Sequence, residues 1–467
     1  MKKIEPEQLF DEIRLLLERN DAQTLRTRLE ESDAADLAEI VEMLDDDDQQ
    51  MFMAALDADE AGEVLSMVDE ATRGELVEDM TDRTLTGVVA TMAPDDAADL
   101  LGELPEEQSE EVLDHLPAEQ AAEVASLLKY DEDTAGGLMT PEFVSVAQDA
   151  TVSHVVDELR QLELDSEEPF FIYVVDPADR LRGLVPLRRL ITAPAHTPVS
   201  AIMTTDLVTV SVDEDQESAV NVLRRHDLPA VPVLESGGRL VGHITHDDAA
   251  DVIVEEADED MLRMAGTDAA ELERASSLRA ARVRMTWLLP CLIGTMFTGV
   301  VMAGFKAQIE AQEFLLLVLF VPMIAAMGGN SGVQASTVII RGLATQELAG
   351  QSMALALRRE ATIAATVGVG CGVVAGVVSV GVVWGLKAVG GTSTGLSPLA
   401  VGLAVSLAML LAICVAVALG TFLPFLFRRI GIDPAIASGP LITTTNDIIS
   451  VAIYLSIGMV AVSMVGR

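Results

Sequence analysis

The stretch PLITTTNDIISVAIYLSIGMVAVSMV at 440–465 decides the fold of the C-terminal half of the chain. It is apolar over more than the ~20 residues that a helix needs to cross a bilayer, so we expect a membrane span. It also contains one carboxylate, Asp447. Placing a carboxylate at that depth costs roughly 2.5–3.5 kcal/mol, so Asp447 indicates a functional site. The alternative is a structural aspartate that bonds Thr or Asn on a neighbouring helix.

Asp447 belongs to the last of five apolar stretches, at about 285–304, 314–340, 361–386, 398–427 and 435–465. Basic residues precede the first stretch and separate the second from the third and the fourth from the fifth: Arg279, Arg282, Arg284, Arg341, Arg358, Arg359, Arg428 and Arg429. The other two loops hold only Lys306 and Lys387. By the positive-inside rule, we expect a multi-pass plasma-membrane protein with a cytosolic N-terminus and an extracytosolic C-terminus.

Two polar segments lie inside these stretches, GGNSGVQAST at 328–337 and PLITTTNDIIS at 440–450. Irregular backbone at membrane depth is tolerated only against protein or a wet cavity. We therefore expect both segments to interrupt their helices. The glycines of the third stretch, Gly368, Gly372 and Gly376, have the spacing of close helix packing.

The membrane half offers oxygen ligands for a metal ion. It has no His, and Cys291, Cys371 and Cys414 lie among apolar residues. Carboxylate, hydroxyl, amide and carbonyl oxygens suit Mg²⁺ or Ca²⁺ better than zinc or copper. A single Asp447 cannot form a complete site, so we expect a homodimer in which two copies meet across a symmetry axis.

The N-terminal half is a polyanion. The formal net charge is −44, and residues 1–281 hold 68 of the 74 acidic side chains. Such a surface avoids nucleic acid and concentrates cations. Lysine is scarce, so adaptation to a salty cytoplasm explains the bulk charge equally well, and charge alone does not identify a metal site.

An internal repeat occupies residues 139–255. MTPEFVSVAQDATVSHVVDELR begins at Met139, and MTTDLVTVSVDEDQESAVNVLR begins at Met203. Each copy predicts strand, helix, strand, turn, strand and helix. This pattern resembles a paired CBS module, an α/β regulatory fold that binds small ligands between its copies.

In CBS modules the string G-x-x-T/S-x-x-D often holds a nucleotide ribose. The second copy keeps it as Gly242, Thr245 and Asp248. The first copy has Pro186 and Arg189 in place of the hydroxyl and the acid. Binding of a nucleotide such as ATP therefore stays an open alternative.

Residues 1–130 repeat short amphipathic helices, such as DAADLAEIVEML at 33–44 and DAADLLGEL at 96–104. Leu and Val at helical spacing face inwards and carboxylates cover the outside, which predicts an all-α helical superhelix. No catalytic constellation, Walker loop or His/Cys metal set is present, so no enzyme is predicted.

Residues 248–280 are predicted to form one long helix that joins the repeat to the first span. Its acids recur at i, i+3 and i+4 spacings: Asp248, Asp251, Glu255, Glu256, Glu259 and Asp260. Like charges on one face repel unless cations intervene. The alternative is a solvated linker helix.

This order of parts in a multidomain membrane protein resembles the MgtE-type magnesium channels and transporters. Three strings carry the resemblance: AGGLMTPEF at 135–143, GGNSGVQASTVIIRGLA at 328–344 and DPAIASGPLITTTND at 433–447. The chain departs from the family pattern at Gly439, where Asn is frequent, and at Ser450, where Gly is frequent. The expected domains are an acidic helical N domain (1–130), tandem CBS domains (131–247), an acidic connecting plug helix (248–281) and a five-helix transmembrane domain (282–467).

The resemblance implies a homodimeric, Mg²⁺-selective channel that imports Mg²⁺ down its electrochemical gradient and closes when Mg²⁺ binds its cytosolic acids. It places the pore aspartate at Asp447 and a second conserved aspartate at Asp433. The implied sensor ligands are Asp95, Asp99, Asp215, Glu217, Asp227, Asp248, Asp251, Glu256, Glu259 and Asp260. Three alternatives stay open: a transporter of Co²⁺, Mn²⁺ or Ca²⁺, an exchanger coupled to Na⁺ or H⁺, and a membrane-anchored nucleotide sensor.

Overall fold

The structure is a computed structural model that describes residues 6–78, 80–161, 171–267, 277–307, 309, 311–344, 353–390, 395–436 and 439–465. The chain divides into two compact units, residues 1–256 and 257–467. The first unit combines helices with two small sheets. The second unit is helical through the ranges just given.

The first unit begins with a series of short helices: α1 (Pro6–Glu18), α2 (Ala22–Glu30), α3 (Ala34–Glu42), α4 (Asp46–Met53), α5 (Ala58–Met67), α6 (Glu70–Glu78), α7 (Asp82–Val89), α8 (Pro94–Glu103), α9 (Glu106–His115) and α10 (Ala118–Leu127). An Asp or Thr side chain caps the start of α2, α3, α4, α5 and α7 by accepting a backbone N–H. Leu and Val fill the buried side of the series. The predicted helical N-terminal domain is confirmed.

Both copies of the repeat form a three-stranded sheet. The first contains β1 (Ser145–Ala147), α11 (Val152–Leu159), β2 (Phe171–Val175), β3 (Leu181–Pro186) and α12 (Leu187–Thr192). The second contains β4 (Val210–Ser211), α13 (Gln216–His226), β5 (Ala230–Leu234) and β6 (Leu240–Thr245). In each sheet the first strand pairs parallel with the second, and the second pairs antiparallel with the third. The predicted CBS pair is confirmed.

The two copies exchange their leading segments. Thr140, at the start of the first copy, pairs with His243 on β6 of the second. Thr204, at the start of the second copy, pairs with Leu184 on β3 of the first. Each leading segment therefore borders the sheet of the other copy, which ties the two copies together.

The helical series packs on the second copy of the repeat through one hydrophobic core that includes side chains of both. The first copy has a separate core. Tyr130, just after α10, donates its hydroxyl to Glu235 Oε1 at 2.9 Å. A Cβ on Gly136 would lie 2.6 Å from the Tyr130 ring. The AGGLM string thus lets the chain pass directly beneath Tyr130 where the helices meet the repeat.

The connecting helix, α14 (His246–Ala265), is shorter than expected. Gly266 follows it with a φ of +82°, a conformation that glycine adopts without strain. The N–H of Thr267 donates to the carbonyl of Leu262 at 3.0 Å, which closes the helix end. The expected single helix over 248–280 is therefore wrong. Residues 268–276 lie outside the described residues.

The second unit contains α15 (Ser277–Lys306), α16 (Ala311–Val318), α17 (Val321–Ala344), α18 (Met353–Ala388), α19 (Pro398–Arg429) and α20 (Gly439–Val465). By length and composition, five candidate membrane spans lie in this part of the described chain: Ala280–Lys306, Glu313–Ala344, Met353–Ala388, Pro398–Arg429 and Gly439–Met464. The five predicted spans of a multi-pass membrane protein are confirmed.

α18 packs closely on α19 through glycines. A Cβ on Gly372 would lie 2.8 Å from the carbonyl oxygen of Ser406, and one on Gly376 would lie 2.8 Å from that of Gly402. Such contacts are available only when one helix lacks side chains at the crossing. The predicted packing role of these glycines is confirmed.

The second candidate span consists of two helices, because two residues in a turn separate α16 from α17. Pro322, in the first turn of α17, has no N–H, and its ring would clash with the carbonyl four residues earlier. The carbonyl of Leu317 at this break accepts the Tyr454 hydroxyl of α20 at 2.9 Å. The same carbonyl accepts the N–H of Phe320 at 3.1 Å, so it has two donors at the break.

Both polar segments are helical. α17 continues through 328–337 and α20 through 440–450, so the interruptions expected at these two places are wrong. The glycines of the first segment lie where α17 meets α20. A Cβ on Gly332 would lie 2.7 Å from Ile442 Cγ2. Glycine permits a break or a close contact, and here it provides the contact.

The packing of α18 on α19 predicts unequal effects of one substitution at two glycines. Gly372→Val forces a branched side chain against the α19 backbone, and overpacking costs roughly 1–3 kcal/mol. We expect a lower Tm for the purified protein in detergent. Gly370→Val is the matched control, because nothing lies within 4 Å of a Cβ at Gly370. Equal Tm values for the two variants would contradict this packing.

Candidate metal sites

Asp447 lies two turns inside α20 and is half-buried. It has no hydrogen-bond or ion-pair partner among the residues that the structure describes. The nearby hydroxyls of Thr443 and Thr444 donate to their own helix, to the carbonyls of Gly439 and Pro440 at 2.7 Å each. The carboxylate is therefore not held by a neighbouring Thr or Asn, as a purely structural aspartate would be.

A guanidinium joins the end of α14 to the segment before α20. Arg263 Nη1 donates to Asp433 Oδ2 at 2.6 Å, and Arg263 also pairs with Glu259 one turn earlier. The other oxygen of Asp433 accepts the N–H of Ala435 at 2.7 Å. A fixed positive charge therefore lies between two carboxylates that the resemblance assigns to Mg²⁺.

Two acids of α14 contact the repeat. Asp248, in the first turn, accepts the Thr245 N–H at 3.2 Å and the Thr245 hydroxyl at 2.5 Å. Glu256 accepts the amide of Gln216 at 2.8 Å. The predicted acidic face is thus partly occupied by hydrogen bonds, although Asp251 stays exposed and Asp260 half-buried.

Three predicted ligands come together between the helical series and the repeat. Desolvation by the surrounding protein raises the pKa of Asp99 to about 7. Arg73 lowers this pKa, whereas Asp95 contributes to raising it. The Asp99 side chain still reaches solvent, so water screens part of this repulsion. Burial raises the pKa of Asp248 to about 6, the Thr245 hydrogen bond lowers it, and Asp95 raises it again. Asp95 thus lies within electrostatic reach of both carboxyls.

The three predicted ligands on the second copy have structural positions. Asp215 caps α13 by accepting the Ser218 N–H at 3.2 Å, and Glu217 lies in the first turn. Asp227 ends the same helix with a left-handed φ of 51°. Over the described part of one chain, no three or more His, Cys, Asp or Glu side chains converge as a metal site. The structure therefore brings only some of the predicted ligands together.

Only the second copy keeps the residues of the ribose string. Arg189 of the first copy donates to the carbonyl of Ile202 at 2.8 Å and to Thr204 Oγ1 at 3.2 Å. In the second copy, the Thr245 N–H and hydroxyl both donate to Asp248 Oδ2, so Oδ1 can still accept a ribose hydroxyl. Neighbouring acids would repel the phosphates of a nucleotide.

An aromatic group lies between the two copies. The Tyr173 ring is 5.8 Å from both Phe143 and His243, centroid to centroid. The Tyr173 hydroxyl and His243 Nδ1 are buried and have no hydrogen-bond partner within the described ranges. Burial lowers the pKa of His243 to about 4 and raises that of Tyr173. This interior therefore suits an uncharged polar group and not a phosphate.

Two residues of these sites were not predicted from the sequence. Arg263 is a basic residue four positions after Glu259 on an acidic helix, which is the spacing of a helical ion pair. Asn446 directly precedes Asp447 and is completely buried. An amide next to an intramembrane carboxylate was the available signal for Asn446.

The fold and these sites define a class: multi-pass membrane proteins with an acidic helical domain and a CBS pair. Family models match three parts of the chain: a divalent cation transporter (MgtE) at 321–457, the MgtE intracellular N domain at 32–133 and CBS domains at 135–196 and 199–255. The chain belongs to the MgtE family.

Similar proteins include curated relatives and solved structures. The magnesium transporter MgtE of Thermus thermophilus is 35% identical over 71% of each chain. That of Bacillus subtilis is 31% identical over 71% of this chain and 70% of the relative. The crystal structure of the cytosolic domain of the Mg²⁺ channel MgtE in complex with ATP is 35% identical, covers 51% of this chain and 98% of that chain, and has a TM-score of 0.49.

The raised pKa of Asp99 predicts a pH-dependent stability. A carboxyl whose folded pKa exceeds its unfolded value of 3.8 contributes stability at low pH, and this is lost as pH rises towards about 7. We expect Asp99→Asn to raise the Tm of the full-length protein at pH 8 without Mg²⁺, and to change it little at pH 4.

The control for this comparison is Asp114→Asn, which removes an exposed carboxylate from the next helix, α9. Each variant's Tm is compared with that of the native protein at the same pH, which removes the contribution of the other titrating groups. An Asp99→Asn effect that is the same at pH 4 and pH 8 would contradict the electrostatic explanation.

Proposed function

We propose that this protein is a Mg²⁺ channel that admits Mg²⁺ to the cytosol down its electrochemical gradient. The observation that carries the proposal is Asp447, the one charged side chain of α20, half-buried and without a protein partner in the described chain. A hydrated Mg²⁺ needs oxygen ligands and keeps several waters, so a carboxylate contributed by each of two copies suits it. The magnesium transporters among its relatives support the same cation.

The proposed assembly is a homodimer with the pore along its symmetry axis. One carboxylate per chain makes half a site, and a two-fold axis supplies the other half. The arginine-rich loops support a cytosolic N-terminus and an extracytosolic C-terminus in the plasma membrane. The proposed domains keep the bounds given by the resemblance: 1–130, 131–247, 248–281 and 282–467.

Closure of the channel by cytosolic Mg²⁺ is the second part of the proposal. Asp95 repels both Asp99 and Asp248 where the helical series meets the repeat. A divalent cation between them would relieve this repulsion, and differential binding to the closed state shifts the population. A shift from 1:99 to 99:1 needs about 5.5 kcal/mol, which several modest sites can share. The other predicted acids, including Asp215, Glu217, Asp227, Asp251, Glu256 and Asp260, are proposed to contribute to these sites.

The pore role of Asp447 is tested by Asp447→Asn, which keeps the shape of the side chain and removes its charge. We expect Mg²⁺ flux into proteoliposomes to fall at least about tenfold, equivalent to about 1.4 kcal/mol. Glu313→Gln, which removes a carboxylate at the start of α16, is expected to keep the flux.

Competition by Ca²⁺, Mn²⁺ and Co²⁺, with and without imposed Na⁺ and H⁺ gradients, belongs to the same assay. Flux that follows one of these ions or gradients would replace the Mg²⁺ channel with the corresponding transporter or exchanger. Full Mg²⁺ flux through Asp447→Asn would overturn the pore role itself.

The gating role of the connecting helix is tested at Arg263. Arg263→Gln removes the positive charge between Glu259 and Asp433, so these carboxylates repel. A partly exposed ion pair contributes about 1 kcal/mol or less, so we expect up to about a fivefold rise in the open-to-closed ratio at low Mg²⁺. Arg263→Lys restores the charge and should restore closure. Patch-clamp recording at fixed cytosolic Mg²⁺ measures this ratio.

The control for this experiment is Arg282→Gln on α15, where the side chain is exposed. An unchanged open fraction in Arg263→Gln at every Mg²⁺ concentration would contradict coupling through this bridge.

A further inference from the structure

The buried side of α20 is partly polar. Ile442, Asn446, Ser450 and Tyr454 recur at four-residue spacing, and each is 0% exposed. The first three lie on the side of the helix that meets α17, and Tyr454 reaches the end of α16. Completely buried amide and hydroxyl groups inside a membrane domain need partners, so their contacts define which side of the helix faces inwards.

The Asn446 amide is held on both sides. Its Nδ2 donates to the carbonyl oxygen of Ala325 on α17 at 3.2 Å. Its Oδ1 accepts the hydroxyl of Ser450, one turn along α20, at 2.8 Å. The amide therefore cannot turn over without losing both bonds, and Ser450 orients it from within the same helix.

Gly328 provides the space for this amide. A Cβ on Gly328 would lie 2.7 Å from Asn446 Nδ2 and 2.9 Å from Oδ1, which is closer than non-bonded atoms approach. The space above the glycine and the carbonyl of Ala325 belong to the same turn of α17. Together they accept a planar amide in one orientation.

Asp447 follows Asn446 directly, so it lies about 100° further around the helix axis. Any rotation of α20 that moves Asn446 relative to α17 moves the Asp447 carboxylate by the same angle. A hydrogen bond between membrane helices is directional, so it adds an orientational preference to the small-residue contacts. A second fixed point exists at the Tyr454 hydroxyl, bonded to Leu317 at 2.9 Å.

We propose that Asn446 is a positioning residue for ion selectivity. Its amide, fixed between Ser450 and the carbonyl of Ala325 beneath Gly328, sets the rotation of α20 and thereby how far the Asp447 carboxylate reaches towards the permeating cation. Because Mg²⁺ demands more exact ligand geometry than Ca²⁺, discrimination between the two ions depends on that reach. This inference rests on the proposed pore role of Asp447.

The first test removes the hydrogen bonds and keeps the volume. Asn446→Leu is expected to raise the half-saturating Mg²⁺ concentration several-fold and to lower the Mg²⁺-to-Ca²⁺ flux ratio in proteoliposomes. Ser450→Ala, a milder change, should shift both in the same direction by less. Ser456→Ala is the matched control, because Ser456 is exposed and its hydroxyl donates only to its own helix. A purely structural role would lower the number of active channels and leave the flux ratio unchanged.

The second test uses the space at Gly328. Gly328→Ala displaces the amide and should reduce flux, whereas Gly328→Ala combined with Asn446→Ser should recover the flux of Asn446→Ser alone. Gly332→Ala combined with Asn446→Ser should not recover, since a Cβ there meets Ile442 and the Ala416 carbonyl instead.

The outcomes separate this inference from the pore role. Loss of flux in Asp447→Asn with an unchanged ion ratio in both Asn446→Leu and Ser450→Ala would overturn the positioning role alone. Failure of Asn446→Ser to rescue Gly328→Ala would also overturn it. Full flux in Asp447→Asn would overturn the pore role whatever the Asn446 variants do.

Discussion

The membrane domain depends on one constraint: within the bilayer, a polar group without water must find its partner inside the protein. At the break before Pro322, the carbonyl of Leu317 accepts both the Phe320 N–H and the Tyr454 hydroxyl. Asn446 is tolerated because Ser450 and Ala325 bond both ends of its amide. Asp447 lies two turns inside its helix and has no partner among the described residues, which is why it carries the proposed pore role.

The first unit, residues 1–256, obeys a different constraint, because water and protein share the solvation of its many acids. Most of these carboxylates lie on the outside of short helices, where solvent screens them. Where a second element packs beside an acid, the pKa rises: to about 6 for the partly buried Asp248, and to about 7 for Asp99, whose side chain still reaches solvent. The pKa values of these carboxyls thus depend less on the number of acids than on the few places where folding brings acids together.

The sequence predicted the helical N-terminal domain, the repeat symmetry and the membrane spans well, because each follows from hydrophobic periodicity over many residues. It failed where one residue type has two uses. Gly328 and Gly332 read as helix breakers but make helix contacts with α20. The break occurs at Pro322, hidden within an apolar run. Gly266 ends the connecting helix in a left-handed conformation. Arg263 escaped notice because its partner Asp433 is 170 residues away.

Arg263 also distinguishes two proposed roles, a constant bias on the connecting helix and a response to Mg²⁺. A tethered guanidinium is present at every Mg²⁺ concentration, so its bridge from Glu259 to Asp433 supplies a constant bias towards one arrangement of the connecting helix. Around Asp99 and Asp248, Asp95 raises the pKa of both carboxyls, and Arg73 opposes this effect at Asp99. A ligand shifts an equilibrium only by its differential affinity for the two states. Under the proposed mechanism, the Mg²⁺ dependence of closure therefore comes from the acids around Asp99 and Asp248. The ion pair between Arg263 and Asp433 sets the open-to-closed ratio at low Mg²⁺.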